Sequence, residues 1–411
     1  MSRFIRFTIF TLLLGSLLLA ACAPAATQAP ASAPTAKPIE VTRIVEGTPK
    51  TVVITATPAP ATAAPTKAPT LAAGSVQLNG QGATFPLPVY TQWIYAYQYV
   101  DPSVTLNYQG TGSGAGKKAI IDGTVDFAGS DSLVTDAEYT AGKDLQMLPM
   151  LAGAVVTVYN LADLPATPVL VLDRPTLVAI YNAKIKTWDD PAILALNPEL
   201  KDKLTALKKK DITVVHRSDG SGTTEIFTKA LAAFSPDWKA GAASAVEWPV
   251  DKAGNGIGGK GNQGVAAAVL NTPGAIGYVE LSYAVSNKMP FASMINKAGK
   301  KVTANDASLA AAMTDFAASF TDKLTTDIVD GKGEGSWPIA GYTYLIVKMK
   351  DSKDCTKATK LAEFITWALT DKGAAKGAAD LGYAVLPKDV QTKVLAKLGE
   401  MTCGGKPVLT K

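Results

Sequence analysis

Apolar and polar positions follow two rhythms along this chain. Val104 to Gln109 alternates with the period of a strand, and Ile212 to Val215 and Gly153 to Val158 are short apolar runs of β type. Tyr90 to Tyr99 and Thr224 to Phe234 carry apolar residues at helical spacing instead. The aromatic residues of the first of these helices read as core rather than ligand contacts. Val125 to Asp131 predicts a strand that ends on an acidic residue. Strands alternate with helices, and glycine-rich turns recur at strand ends. That order predicts an α/β architecture with mainly parallel sheets, in which ligands bind off the carboxyl ends of strands.

The start of the chain has its own pattern. Phe7 to Leu19 is apolar, but shorter than the roughly 20 residues of a membrane span. It follows Arg3 and Arg6 and runs into Leu19-Ala20-Ala21-Cys22, so residues 1–21 read as a signal peptide rather than a transmembrane helix. A cysteine at the cleavage point resembles the bacterial lipobox. This implies a lipid on Cys22 and an extracytoplasmic protein tethered to the membrane. Residues 22–74 are dominated by Ala, Pro and Thr and read as a disordered linker. A coil of that length reaches on the order of 40 Å. Inside it, Ile39 to Thr55 alternates as a strand would in the presence of a partner.

The remainder, from about Ser75 to Lys411, is long enough for two domains. Hydrophobic residues make up 47% of the chain, which supports a real core. The formal charge is +5, and removing Arg3 and Arg6 with the signal leaves 38 basic against 35 acidic residues. That balance, with no basic run interleaved with aromatics, argues against a nucleic-acid partner. One His and no Cys/His cluster argue against a structural zinc site, and no cofactor motif stands up. With Cys22 lipidated, Cys355 and Cys403 remain. Outside the cell two such cysteines often pair, and the bridge would add about 4 kcal/mol by loop-closure entropy; two free thiols are the alternative. Lys208-Lys209-Lys210 reads as a solvated helix end.

The stretch richest in chemistry is Arg217-Ser218-Asp219-Gly220-Ser221-Gly222-Thr223, between a predicted strand and a predicted helix. The first N–H groups of a helix lack internal partners and the helix dipole favours negative charge there. Ser221 and Thr223 add hydroxyls, and Arg217 brings a fork suited to tetrahedral oxyanions, with Asp219 close enough to orient it. Two further turns carry hydroxyls, near Thr84 and Ser113, and Asp131 ends another strand. Gly110-x-Gly112-x-x-Ala115 satisfies a relaxed dinucleotide fingerprint, but the helix after it is short, and the same stretch fails the Walker pattern. No Gly-x-Ser-x-Gly elbow exists and the sole His216 adjoins Arg217, which disfavours a Ser-His-Asp hydrolase. The turn at Arg217 to Thr223 therefore reads as an anion site, with no nucleophile–base pair beside it. A secreted phosphatase, a receptor for another oxyanion and a structural or sensory surface lipoprotein are the competing readings.

At this point the chain resembles the phosphate-binding proteins of phosphate-specific ABC importers. The resemblance rests on Gly80-Gln81-Gly82-Ala83-Thr84-Phe85-Pro86, Tyr108-Gln109-Gly110-x-Gly112-Ser113 and Val125-Asp126-Phe127-x-x-Ser130-Asp131. It continues through Ile185-Lys186-x-Trp188, Arg217-x-Asp219-Gly220-Ser221-Gly222-Thr223, Gly258-Gly259-Lys260-Gly261-Asn262, Pro273-Gly274-Ala275-Ile276-Gly277-Tyr278-Val279-Glu280 and Trp337-Pro338-Ile339. It implies a two-lobed periplasmic-binding-protein fold of type II, with lobe 1 at 75–157 plus 343–411 and lobe 2 at 158–342. Two hinge crossings are expected near Val155–Asn160 and Tyr342–Val347. It further implies a monomer that holds inorganic phosphate and passes it to permease subunits. The anion would be held by Thr84, Phe85 (through its backbone N–H), Ser113, Asp131, Arg217, Ser221, Gly222 and Thr223, with Asp219 steadying Arg217. Gly114 departs from the family, standing where many members have a second Ser. Gly261-Asn262 and Trp188 read as turn and packing positions.

Overall fold

The computed structural model describes residues 40–41, 52–53, 75–350 and 352–409. The signal segment, Cys22 and most of the linker lie outside them. The chain divides into a leading unit, Met1–Ala68, and a main unit, Pro69–Lys411. In the leading unit Glu40–Val41 pairs antiparallel with Val52–Val53, inside the stretch that alternates in the sequence.

The main unit is built on one nine-stranded mixed sheet. Its elements in chain order are β1 (Val76–Gly82), α1 (Leu87–Val100), β2 (Val104–Gly110), α2 (Ser113–Asp122), β3 (Phe127–Ser130) and β4 (Leu145–Tyr159). They continue with β5 (Thr213–Arg217), α3 (Gly222–Phe234), β6 (Gly256–Gly259), α4 (Gly261–Asn271), β7 (Ala275–Glu280), α5 (Leu281–Ser286) and β8 (Ala340–Lys348). The order across the sheet is β2-β1-β3-β8-β4-β7-β5-β6. At one end β1 pairs parallel with β2 and β3; at the other β5 pairs parallel with β7 and β6. Antiparallel pairs join the two ends through β8 and β4. A short pair of residues, Ala384–Val385, adds to β4 as well.

The long strand β4 organises this arrangement. Apart from Gln146 every residue in it is buried, which is the unbroken apolar run of a strand covered on both faces. Its first part pairs with β8 up to Ala154, and from Val155 onward it pairs with β7. One strand thus serves two halves of the sheet, and β8 brings the chain back beside it. Pro149 sits in the middle of β4. Proline cannot donate to the ladder, and the register slips there, with Thr343 opposite Leu151 and Tyr344 opposite Pro149.

Helices cover the sheet by the expected logic. In α1, Tyr90, Trp93 and Tyr97 are buried at helical spacing while Tyr95 and Tyr99 meet edge to face at the surface. Trp93 Nε1 donates to the Ala374 carbonyl, tying α1 to the C-terminal helices. Trp188 is fully buried and donates to the Gly274 carbonyl. Cys355 and Cys403 are joined by a disulfide between a helix start and the C-terminal hairpin. The helix before Lys208-Lys209-Lys210 ends at Thr205, so the three lysines occupy the following turn; Lys209 and Lys210 pair with Asp211 and Asp189. Among the described residues no helix is long and apolar enough to cross a membrane.

Candidate functional site

Four strand ends deliver the side chains singled out in the sequence. β1 ends at Gly82 and the chain turns through Ala83-Thr84-Phe85 into α1. β2 ends at Gly110 and Ser113 opens α2. β3 ends at Ser130, so Asp131 follows directly. β5 ends on Arg217, and Ser221 caps α3, its Oγ accepting the Thr224 N–H at 3.1 Å. Thr84, Phe85, Ser113, Asp131, Arg217, Ser221 and Thr223 are all at most 5% exposed. Seven buried residues from four separate segments, most of them polar, do not arise from packing alone.

The side chains from the two halves of the sheet touch. Ser113 Oγ receives the Asp131 N–H at 3.2 Å and the Gly222 N–H at 3.1 Å. The Gly114 N–H donates to the Gly220 carbonyl at 3.1 Å. A Cβ on Gly222 would stand 2.5 Å from the Asp131 Cβ, so only glycine lets the start of α3 come this close. Gly112, at φ +97°, lies against the Asp219 carboxylate in the same way.

Arg217 is locked by a two-pronged bond. Its Nε donates to Asp219 Oδ1 at 2.7 Å and its Nη2 to Asp219 Oδ2 at 2.6 Å. A guanidinium has five N–H donors, so the rest of the fork stays available to a ligand. Burial pushes the Asp219 carboxyl up, but the bond and charge of Arg217 and the Gly261 N–H outweigh it and hold it below the usual carboxylate range. The ion pair is internally neutral, so an anion here is met by aimed donors as much as by net charge.

Asp131 behaves oppositely. Burial raises its carboxyl to about 7, against the lowering influence of the Thr343 hydroxyl, Arg217 and Ser113. Thr343 Oγ1 donates to Asp131 Oδ1 at 2.8 Å. Thr343 borders the register slip at Pro149, and a bulge of this kind re-aims a side chain.

Residues 56–372 match the PBP superfamily domain. The phosphate-binding protein PstS of Methanocaldococcus jannaschii is 39% identical over 340 residues, covering 79% of this chain and 85% of that protein. The protein of the same name from Pasteurella multocida is 37% identical over 323 residues, covering 78% and 89%. The chain belongs to the PstS family. A high affinity periplasmic phosphate-binding protein (PfluDING), solved with phosphate bound, superposes with a TM-score of 0.62 at 21% identity, over 78% of this chain and 93% of that one. The main unit accordingly has the two-lobed PBP fold.

In this PstS-family chain the structure adds residues that local sequence patterns do not place in the site. Asn262, read as a turn position, is fully buried instead. Its backbone N–H and its Nδ2 donate to Thr84 Oγ1 at 3.1 and 3.0 Å, and Nδ2 also donates to Thr223 Oγ1 at 3.1 Å. Behind it, Glu280 caps α5 and accepts from Tyr383 Oη at 2.8 Å and from Ser282. Tyr383 Oη also lies 2.7 Å from the Phe85 carbonyl, so its single proton is shared between the two acceptors, and Tyr283 Oη donates to the Thr84 carbonyl at 2.5 Å. Burial raises the Glu280 carboxyl to about 8, against the lowering bonds from Ser282 and Tyr383.

Two carboxyls raised this way make the unliganded protein less stable as pH rises. Each holds its proton longer in the folded than in the unfolded chain, so its stabilising share is complete below the unfolded value and is lost through the folded one. Stability in phosphate-free buffer should therefore fall between about pH 4 and about pH 8. Glu280→Gln and Asp131→Asn should each flatten that fall. Denaturant midpoints across this range check it, and a wild-type profile that both variants leave unchanged would refute it.

Proposed function

We propose that this chain captures inorganic phosphate in the cleft between its lobes and delivers it to the permease of an ABC importer. The observation that carries the reading is Asp131: a buried carboxylate set among the donors of Ser113, Arg217 and the start of α3. Phosphate near neutral pH keeps a proton and sulfate does not. Above about pH 7, where Asp131 is ionised, its carboxylate only accepts hydrogen bonds, so it welcomes the phosphate O–H and repels a bare oxyanion. Leaving a buried polar group unpaired is what produces large discrimination. Burying a charged anion is costly unless it is densely hydrogen-bonded, and the helix starts and hydroxyls meet that need. Thr84, Phe85, Ser113, Asp131, Arg217, Ser221, Gly222 and Thr223 form the binding shell in this reading, with Asp219 behind Arg217.

The lobes run over 75–157 plus 343–411 and over 158–342, and closure about the two crossings excludes water. The contacts between Ser113 and Gly222 and between Gly114 and Gly220 belong to the closed form. Binding rather than catalysis is favoured because His216 has both ring nitrogens engaged, Nδ1 with the Arg217 carbonyl and Nε2 with Asp251. It is therefore not placed to activate a serine. Calorimetry of the purified protein with phosphate, arsenate, sulfate and molybdate tests the reading. Tight phosphate binding with weak sulfate binding is expected, and equal or absent heats for these two would sink it.

The protein works outside the cytoplasm as a monomer, held to the membrane by a lipid on Cys22. The expected result is that Cys22→Ser appears in the soluble fraction while the wild type sediments with membranes. Equal partition of the two forms would count against the anchor.

A further inference from the structure

We propose that Asn262 is a positioning residue that forces the hydroxyls of Thr84 and Thr223 to act as donors toward the bound anion, an inference that rests on the oxyanion reading above. A hydroxyl has one O–H and two acceptor sites. Thr84 Oγ1 receives the Asn262 backbone N–H at 3.1 Å and Nδ2 at 3.0 Å. Both acceptor sites are then filled, and only its O–H remains to give. The second Nδ2 proton goes to Thr223 Oγ1 at 3.1 Å, which biases that hydroxyl the same way.

The orientation of the Asn262 amide is itself decided. Oδ1 accepts the Glu280 N–H at 3.0 Å. A flipped amide would set NH2 against that N–H and leave the side-chain donations to both threonines unmade. Asn262 is fully buried, so no water corrects such a mismatch. Glu280 is fixed in turn by Tyr383 and Ser282. The chain of constraints therefore runs from Glu280 through Asn262 to two hydroxyls.

Ser113 reaches the same state by other means. Its Oγ receives the N–H groups of Asp131 and Gly222, which leaves its O–H to give; that O–H rests on Asp131 Oδ2 at 3.4 Å, the long limit of a bond. Thr84 and Ser113 are thus donors by exhaustion of their acceptor sites, and Thr223, with one site filled, is biased the same way, beside an acceptor in Asp131. Such a pocket takes a ligand whose oxygens accept everywhere but at one O–H. Thr84 belongs to one lobe, and Thr223 and Asn262 to the other. The Thr84 hydroxyl is consequently fixed only when the cleft closes, which couples closure to selectivity.

A double-mutant cycle read by phosphate calorimetry tests this, with folding of each variant checked by thermal melting. Asn262→Ala should weaken phosphate binding by roughly 10-fold to 100-fold, the worth of one or two bonds to a charged group. In a Thr84→Val/Thr223→Val background the same substitution should cost less than about threefold, because the hydroxyls it orients are gone. Independent, additive losses would overturn the proposal, since a merely structural role adds in both backgrounds. Should Asn262→Ala not fold, Asn262→Ser carries the same cycle, with coupling expected and additivity again overturning the proposal. Failure of the wild type to bind phosphate defeats the oxyanion reading instead; phosphate binding with an additive cycle defeats only the role of Asn262.

Discussion

Asp131→Asn should collapse the preference for phosphate over sulfate. The substitution keeps the shape of the side chain, and its remaining oxygen can still accept the Thr343 hydroxyl that now bonds at 2.8 Å. What changes is the sign of the other atom. The amide NH2 donates where the carboxylate accepts. Phosphate loses the partner of its O–H, while sulfate gains a donor in place of a repelling lone pair. A site that rejects a ligand through an unpaired buried group reaches discrimination on the order of 10⁴ or more, and most of that should vanish, by about 100-fold at least. The result should appear as a rise in sulfate affinity as well as a fall for phosphate. An unchanged ratio of the two dissociation constants would remove Asp131 from the selective role.

Why Asp131 was legible and its supporters were not comes down to distance along the chain. Thr84, Ser113 and Ser221 each stand in a strand, glycine turn and helix start, a local pattern that carries its own physical reason. Arg217 and Asp219 are two residues apart, so their pairing also reads locally. Thr343 lies within a buried apolar strand and looks like core. It meets Asp131 beside the register slip opposite Pro149, almost two hundred residues earlier. A proline inside an apolar β run was the one signal that would have found it. Asn262 sits among glycines and reads as a turn; nothing nearby reveals that it reaches Thr84, 178 residues earlier. Glu280 and Tyr383 are likewise joined only by tertiary structure. The alternation of strands and helices announced the α/β class, whereas the antiparallel centre of the sheet depends on where β4 and β8 meet. No periodicity encodes that meeting.

Arg217→Leu should have the largest effect on affinity. The guanidinium side chain is 1% exposed and gives two of its donors to Asp219, leaving the others to the anion. Removing it takes a cation from the pocket and also strands the Asp219 carboxylate, 15% exposed, beside a negative ligand. Breaking one partner of a buried, hydrogen-bonded charge pair costs about 2–5 kcal/mol, so phosphate binding should weaken by roughly 10² to 10⁴. Part of that loss belongs to the stranded Asp219 rather than to the missing Arg. Adding Asp219→Asn to Arg217→Leu should therefore recover some affinity, although Asp219→Asn alone should weaken binding by loosening the Arg. Opposite signs for one substitution in two backgrounds are a demanding outcome. Arg217→Lys should fall between, since a point charge on a flexible stem cannot reproduce the two-pronged lock. Calorimetry on the four proteins of the cycle checks the set. Phosphate binding by Arg217→Leu within about threefold of the wild type would mean that aimed neutral dipoles hold the anion without the guanidinium.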